Sequence, residues 1–207
     1  MLILKRLNLA LHLFEASGGS PFQILVETVL SQNTTSKNAA RAYVRLMSRF
    51  RTPEDLARAK LSDIMRLIMP SGMYRSKSKH LKRMSRMIVE KYGGDLKKVL
   101  RMPYPLAREE LTSLPGVGKK TADVVLAFAA GRDVLPVDTH VFRVSKRLGF
   151  AAENDGYEEV KEKLERITPE GKRRLAHVLL IQLGRTYCRA RKPDHERCPV
   201  RDLCPSA

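Results

Sequence analysis

LPGVGKKTADVV, residues 114–125, decides how the chain folds. A proline and two glycines fall within five residues, and an apolar helical run follows at once. The preceding EELTSL (109–114) ends one helix, and KKTADVVLAF (119–128) begins another. Gly116 and Gly118 permit dihedrals and close approaches that a side chain forbids. The turn and the start of the second helix leave backbone amides without partners. Such donors suit a phosphate, and the positive end of the helix dipole helps. Leu114, Gly116, Gly118 and Lys119 are therefore candidate contacts to a nucleic-acid backbone. A plain helix–turn–helix connection with a glycine cap is the competing reading.

Outward from the hairpin the pattern stays helical. Pro21 opens PFQILVETVL in the position where a missing amide hydrogen costs nothing, after Gly19 and Ser20 end a first helical segment. Thr34, Thr35 and Ser36 offer caps for SKNAARAYVRLMSRF, and Thr52 with Pro53 opens PEDLARA. LSDIMRLI is a short helix broken at Gly72. SKSKHLKRMSRMIVEKY repeats Leu81, Met84 and Ile88 on one face, and Gly93 and Gly94 stop it. Gly131 closes the helix after the hairpin; THVFRVSKRLG, YEEVKEKLERI and KRRLAHVLLIQLG follow. No alternation of strand type and no long repeat interrupts this order. The expected class is all-α, made of short helices and short loops.

The totals narrow the partner. The chain has 207 residues, 43% of them hydrophobic, enough for one domain or two small ones with a real core. A formal net charge of +17 favours a polyanion, with nucleic acid ahead of anionic lipid. Lys5 and Arg6 interrupt the first apolar stretch, so no signal peptide is expected there, and no apolar run is long enough to span a bilayer. An intracellular, cytoplasmic protein without a membrane partner is the expectation. Cys188, Cys198 and Cys204 are the only cysteines and all lie in the last twenty residues. An odd, clustered set argues against a secreted disulfide framework and for a local metal site.

LPGVGKKTADVV followed by PVDTHVFRVSKRLG resembles the endonuclease III family of DNA glycosylases, which carry a helix–hairpin–helix and then a Gly/Pro-rich loop ending in aspartate. PFQILVETVLSQNTTSKNA, SGMYRSKSKHL and GRTYCRARKP extend the resemblance from about Pro21 to Cys204. It implies a two-lobed helix–hairpin–helix glycosylase fold. One helical domain would span 21–130 with the hairpin at 114–118. The second would combine 1–20 with 131–207 and carry a metal-cluster loop at 188–204. The implied activity is a bifunctional DNA N-glycosylase and abasic-site lyase, monomeric and acting on damaged pyrimidines in duplex DNA. A mismatch-specific uracil or thymine glycosylase and a non-enzymatic hairpin module are the alternatives.

By this resemblance the catalytic lysine falls on Lys120 and the aspartate on Asp138. The residue types fit the chemistry. A deprotonated amine attacks the sugar C1′ as the base leaves, and the resulting Schiff base acidifies the neighbouring sugar proton for β-elimination. Free lysine has a pKa of about 10.4, so burial and neighbouring positive charge must favour the neutral amine. Asp138 can accept the proton and stabilise developing positive charge; as the competing reading it simply caps the helix THVFRVSKRL. Arg143 is a candidate backbone contact or a solvent-facing charge.

A base inside a stacked duplex must be flipped out before its glycosidic bond is reachable. In the family, a polar residue from an early loop and an apolar residue from a later one hold the gap. The matching positions are Asn33 in LSQNTT and Met73 in SGMYRSK, with Gln32 able to take the polar role and Tyr74 beside Met73. The tail gives Cys188, six residues, His195, two residues, Cys198, five residues, Cys204. The family's iron–sulfur loop has four cysteines at this spacing, so His195 stands where the second would be. The resemblance implies a [4Fe–4S] cluster; zinc, for which three cysteines and a histidine are an ordinary set, and a degenerate site remain open.

Overall fold

The computed structural model describes residues 2–10 and 19–207. Of the first helical segment, expected to run up to Gly19 and Ser20, residues 11–18 lie outside them. All regular structure among the described residues is helical. By contacts the chain divides into two compact units, Ser17–Arg132 and Asp133–Ala207 with the N-terminal stretch.

The N-terminal helix, α1, is Leu2–Ala10, and the hairpin unit opens with α2, Pro21–Ser31. Ser20 caps α2 in a reciprocal box with Gln23, and Pro21 sits in the first turn. The same device recurs where Thr52 and Asp55 open α4 (Pro53–Arg58). Thr35 supplies the cap of α3 (Ser36–Met47). α5 is Leu61–Ile68 and runs into a 3₁₀ turn, Met69–Ser71. α6, Tyr74–Tyr92, packs on α4 and α5 through the buried face of Leu81, Met84 and Ile88. It starts at Tyr74 rather than in the following serine–lysine run, because Met73 takes a left-handed cap conformation. α7 (Lys97–Leu100) is a single turn, too short to show a period in sequence. α8 (Tyr104–Thr112) and α9 (Lys119–Ala129) form the hairpin pair, and α9 packs on α2.

Asp123 on α9 is fully buried, and the Arg108 guanidinium of α8 grips it at 2.9 and 3.2 Å while the Tyr104 hydroxyl donates at 2.9 Å. A bidentate pair of this kind satisfies the carboxylate and fixes the two helices in one register. It sits one turn beyond Lys120, on the same helix.

In the second unit α10 (Thr139–Arg147) packs on α12 (Arg173–Thr186), with α11 (Tyr157–Ile167) against α10 and α1 against α12. Val141, Val144, Leu164, Leu179 and Leu183 close its core, and Leu7 enters it from α1.

Candidate nucleic-acid interface and metal loop

The hairpin turn is built around Gly116. Its φ is +82°, and a Cβ there would meet the His80 side chain at 2.9 Å. Conformation and space therefore both demand glycine. Gly118 differs: nothing lies within 4 Å of the place a Cβ would take. It is the N-cap of α9 and provides no side-chain cap, so nothing at Gly118 crowds the positive end of the helix. Lys119 is exposed there and Lys120 is half-buried in the same turn. The Leu114 side chain faces the core, so any contact it makes with a nucleic-acid backbone is through its main chain. It is only 2% exposed, because the turn presses Leu114 and Val117 into the core.

Gln32, at the end of α2, is tied to this turn. Its Nε2 donates to Gly116 O at 3.0 Å and to Thr121 Oγ1 at 3.1 Å. Asn33 is exposed next to it, with φ +50°. Met73, 59% exposed, has φ +45°. Asn33 Nδ2 lies 3.8 Å from Met73 Sδ, so the two loops meet at their tips. A left-handed non-glycine residue costs about 1–2 kcal/mol, and two such residues side by side at exposed tips mark a place where position outweighs comfort. Tyr74 begins α6 immediately behind Met73.

The segment 131–138, of which Asp133 onward belongs to the other unit, carries no regular structure and leads to Asp138. It is anchored along its length. Asp133 accepts from Gly171 N at 2.8 Å, Leu135 N donates to Glu165 Oε1 at 2.8 Å, and His177 Nδ1 pairs with Pro136 O at 2.7 Å. Val137 N reaches the Tyr157 hydroxyl at 3.4 Å. These anchors carry no motif in the sequence and come from helices distant in the chain, which is why sequence reading missed them. Asp138 caps α10, accepting from His140 N at 2.9 Å and Val141 N at 2.8 Å through one oxygen. Its second oxygen has no part in the cap. Burial pushes the His140 imidazole below its ordinary value, against the pull of the Asp138 carboxylate and with Arg143 and Arg185 adding to the fall.

Arg143 is turned inward. Nε donates to Cys188 O at 3.1 Å and Nη2 to Gly184 O at 2.9 Å, with His140 Nδ1 at 3.2 Å. The guanidinium fastens the cysteine loop to α10 and α12, a use that its place in a basic helix does not reveal. Arg147 adds Nη1 to Arg189 O at 2.8 Å and to Cys188 Sγ at 3.5 Å.

Cys188, His195, Cys198 and Cys204 border one hollow, with Leu183, Val200 and Arg147. Burial pushes the Cys198 thiol up, and the neighbouring Cys204 and Cys188 add to the rise. Thiols crowded in this way release their protons readily only to a metal. Three sulfurs and an imidazole are soft donors suited to iron–sulfur clusters or zinc.

A hairpin between two helices, two meeting loop tips and a sulfur-lined hollow on an all-helical scaffold suit a nucleic-acid-binding protein with a metal-cluster loop. The chain belongs to the HhH-GPD superfamily of base excision DNA repair proteins, whose profile matches residues 26–170, and residues 188–204 match the iron–sulfur binding domain of endonuclease III. It is 41% identical to endonuclease III of Thermotoga maritima over 184 residues, 89% of this chain and 82% of that protein. The fold superposes on a trapped endonuclease III–DNA covalent intermediate with a TM-score of 0.87 at 35% identity, covering 98% of this chain and 92% of that one. A thermostable thymine-DNA glycosylase gives 0.84 at 28% identity, covering 99% and 92%.

Proposed function

We propose that the chain is a bifunctional DNA N-glycosylase and abasic-site lyase that removes damaged pyrimidines from duplex DNA during base excision repair. The observation that carries this is Lys120. It stands in the first turn of α9, at the positive end of the helix and beside a clear approach at Gly118 that suits a phosphate. The Lys120 amine attacks C1′ as the base departs, and the imine so formed permits β-elimination of the 3′ phosphate. Asp138 takes up the amine proton and stabilises positive charge on the sugar, while its capping oxygen holds α10. Asn33 and Met73 hold the opened duplex, with Gln32 fixing the hairpin behind them. Gly116, Gly118 and Lys119 bind the DNA backbone, and Tyr74 supports the Met73 tip. Arg143 secures the cysteine loop.

Cys188, His195, Cys198 and Cys204 hold the [4Fe–4S] cluster, with His195 as the imidazole ligand. The cluster supplies structural cross-linking, since glycosidic cleavage moves no electrons. The protein acts as a monomer, in the cytoplasm, on the nucleoid.

Borohydride added during reaction with a damaged duplex should trap a covalent adduct, and Lys120→Ala should abolish it while keeping affinity for undamaged DNA. An adduct formed at the normal rate by Lys120→Ala would exclude this nucleophile. A mismatch glycosylase is the second reading, favoured by the likeness to the thymine-DNA glycosylase. Labelled duplexes carrying thymine glycol, dihydrouracil, uracil opposite guanine, oxidised guanine or a plain abasic site separate the two.

A further inference from the structure

Lys77 is the most deeply buried lysine of the hairpin unit, 3% exposed, in the first turn of α6. The setting is unfavourable to a cation twice over. Burial lowers the pKa of its ammonium, and the positive end of α6 repels it. Among the described residues no carboxylate balances it. Instead Nζ donates to Leu30 O at 2.9 Å and to Ser71 O at 2.8 Å. Leu30 lies in the last turn of α2, where carbonyls lack helical partners, and Ser71 ends the 3₁₀ turn. Both are therefore negative helix ends, which explains how the ammonium is tolerated.

The two carbonyls have a shared meaning. Asn33 follows Leu30 by three residues, and Met73 follows Ser71 by two. These are the two left-handed tips that meet at 3.8 Å. One buried ammonium thus staples together the roots of the loops whose tips touch. We propose that Lys77 is a positioning residue for duplex opening: it holds the Asn33 and Met73 tips at the spacing needed to keep a flipped nucleotide out of the stack. This rests on the reading of Asn33 and Met73 as the duplex-holding pair. Lys77 touches no substrate atom and acts only through those loops.

The consequence is specific to opening. A duplex whose lesion already lacks a partner base needs less holding. Lys77→Met keeps the length and apolar stem but cannot donate. It should lower kcat/KM on a lesion paired with its normal partner by roughly tenfold to a hundredfold, about the worth of one hydrogen bond to a charged group. On the same lesion placed opposite an abasic analogue, the loss should be only a few-fold. A 2-aminopurine opposite the lesion should show less unstacking fluorescence with Lys77→Met than with the wild type. Affinity for undamaged duplex should not change. Lys77→Gln, which keeps a donor, should recover part of the paired-lesion rate and serves if Lys77→Met does not fold. Equal losses on paired and unpaired lesions, or no loss on either, would overturn the assignment. Asn33→Ala and Met73→Ala are run alongside. If they too show no preference for the unpaired lesion, the duplex-holding reading itself falls; if they show it and Lys77→Met does not, only the staple falls.

Discussion

Asp138 caps α10 and, in the proposed mechanism, takes up the amine proton; a single atom change separates the two tasks. One oxygen caps α10 through the amides of His140 and Val141. Asparagine is also a good N-cap, whereas alanine forfeits about 1 kcal/mol. Asp138→Asn should therefore melt close to the wild type yet release bases far more slowly, while Asp138→Ala should lose both stability and rate. Thermal melts with single-turnover base release make the comparison; a fully active Asp138→Asn would reduce the residue to its cap. His140 carries the acid sensitivity of the same turn. Its folded pKa is depressed below 6.5, so the neutral ring is the one the fold prefers. The stability it provides is present above the unfolded value of 6.5 and is lost as pH falls through the lower folded value. The melting temperature should fall as pH drops from 6.5 towards that lower folded value, and His140→Gln should flatten the fall. Residue by residue, what the sequence made legible was chemical identity: lysine, aspartate and cysteine at recognisable places. Direction was not legible. Leu114 and Arg143 both turn inward, and Lys77 looked like one charge among many in a basic helix, because burial is decided by partners distant in the chain.

At the scale of elements the hairpin holds two glycines with different reasons to exist. Gly116 combines φ +82° with a Cβ position 2.9 Å from His80. Gly116→Ala should destabilise the hairpin unit by about 1–3 kcal/mol, through left-handed strain and the displaced imidazole. Gly118→Ala meets no neighbour, so the fold should survive it. The added methyl instead narrows the approach to the α9 amides and should weaken binding to any duplex, damaged or not. Denaturant melts and binding isotherms on both variants test the division; a stable Gly116→Ala or a DNA-neutral Gly118→Ala would break it. Three of the helices were readable at their starts because their caps are local: Ser20, Thr35 and Thr52 each accept from an amide three residues on. α7 was not readable, being one turn long, and the start of α6 was missed because a left-handed Met73 leaves no mark in sequence. The anchors of segment 131–138 come from α11 and α12, beyond the reach of any local pattern.

For the molecule as a whole, the net charge of +17 and the two units make different demands. The charge predicts affinity for undamaged duplex that falls steeply as salt rises, since released counterions supply most of it. The cysteine loop bears on the fold of one unit only. Arg143 and Arg147 tie the loop to α10 and α12 through Cys188 O, Gly184 O, Arg189 O and Cys188 Sγ, so the loop is continuous with that unit's core. Metal binding to such a loop is part of the folding free energy. His195→Ala should lower iron and sulfide content, and His195→Cys should restore four thiolates and lower the reduction potential, because thiolate donates more charge than imidazole. Iron removal by a chelator should increase hydrogen exchange in Asp133–Ala207 before it does so in Ser17–Arg132, and unfolding followed by different probes should cease to coincide. Protection lost equally in both units would mean that the cluster stabilises the chain without regard to where it is bound. Unchanged metal content and spectrum in His195→Ala would give the fourth corner to another donor, and the six–two–five spacing would then describe three ligands and a spectator.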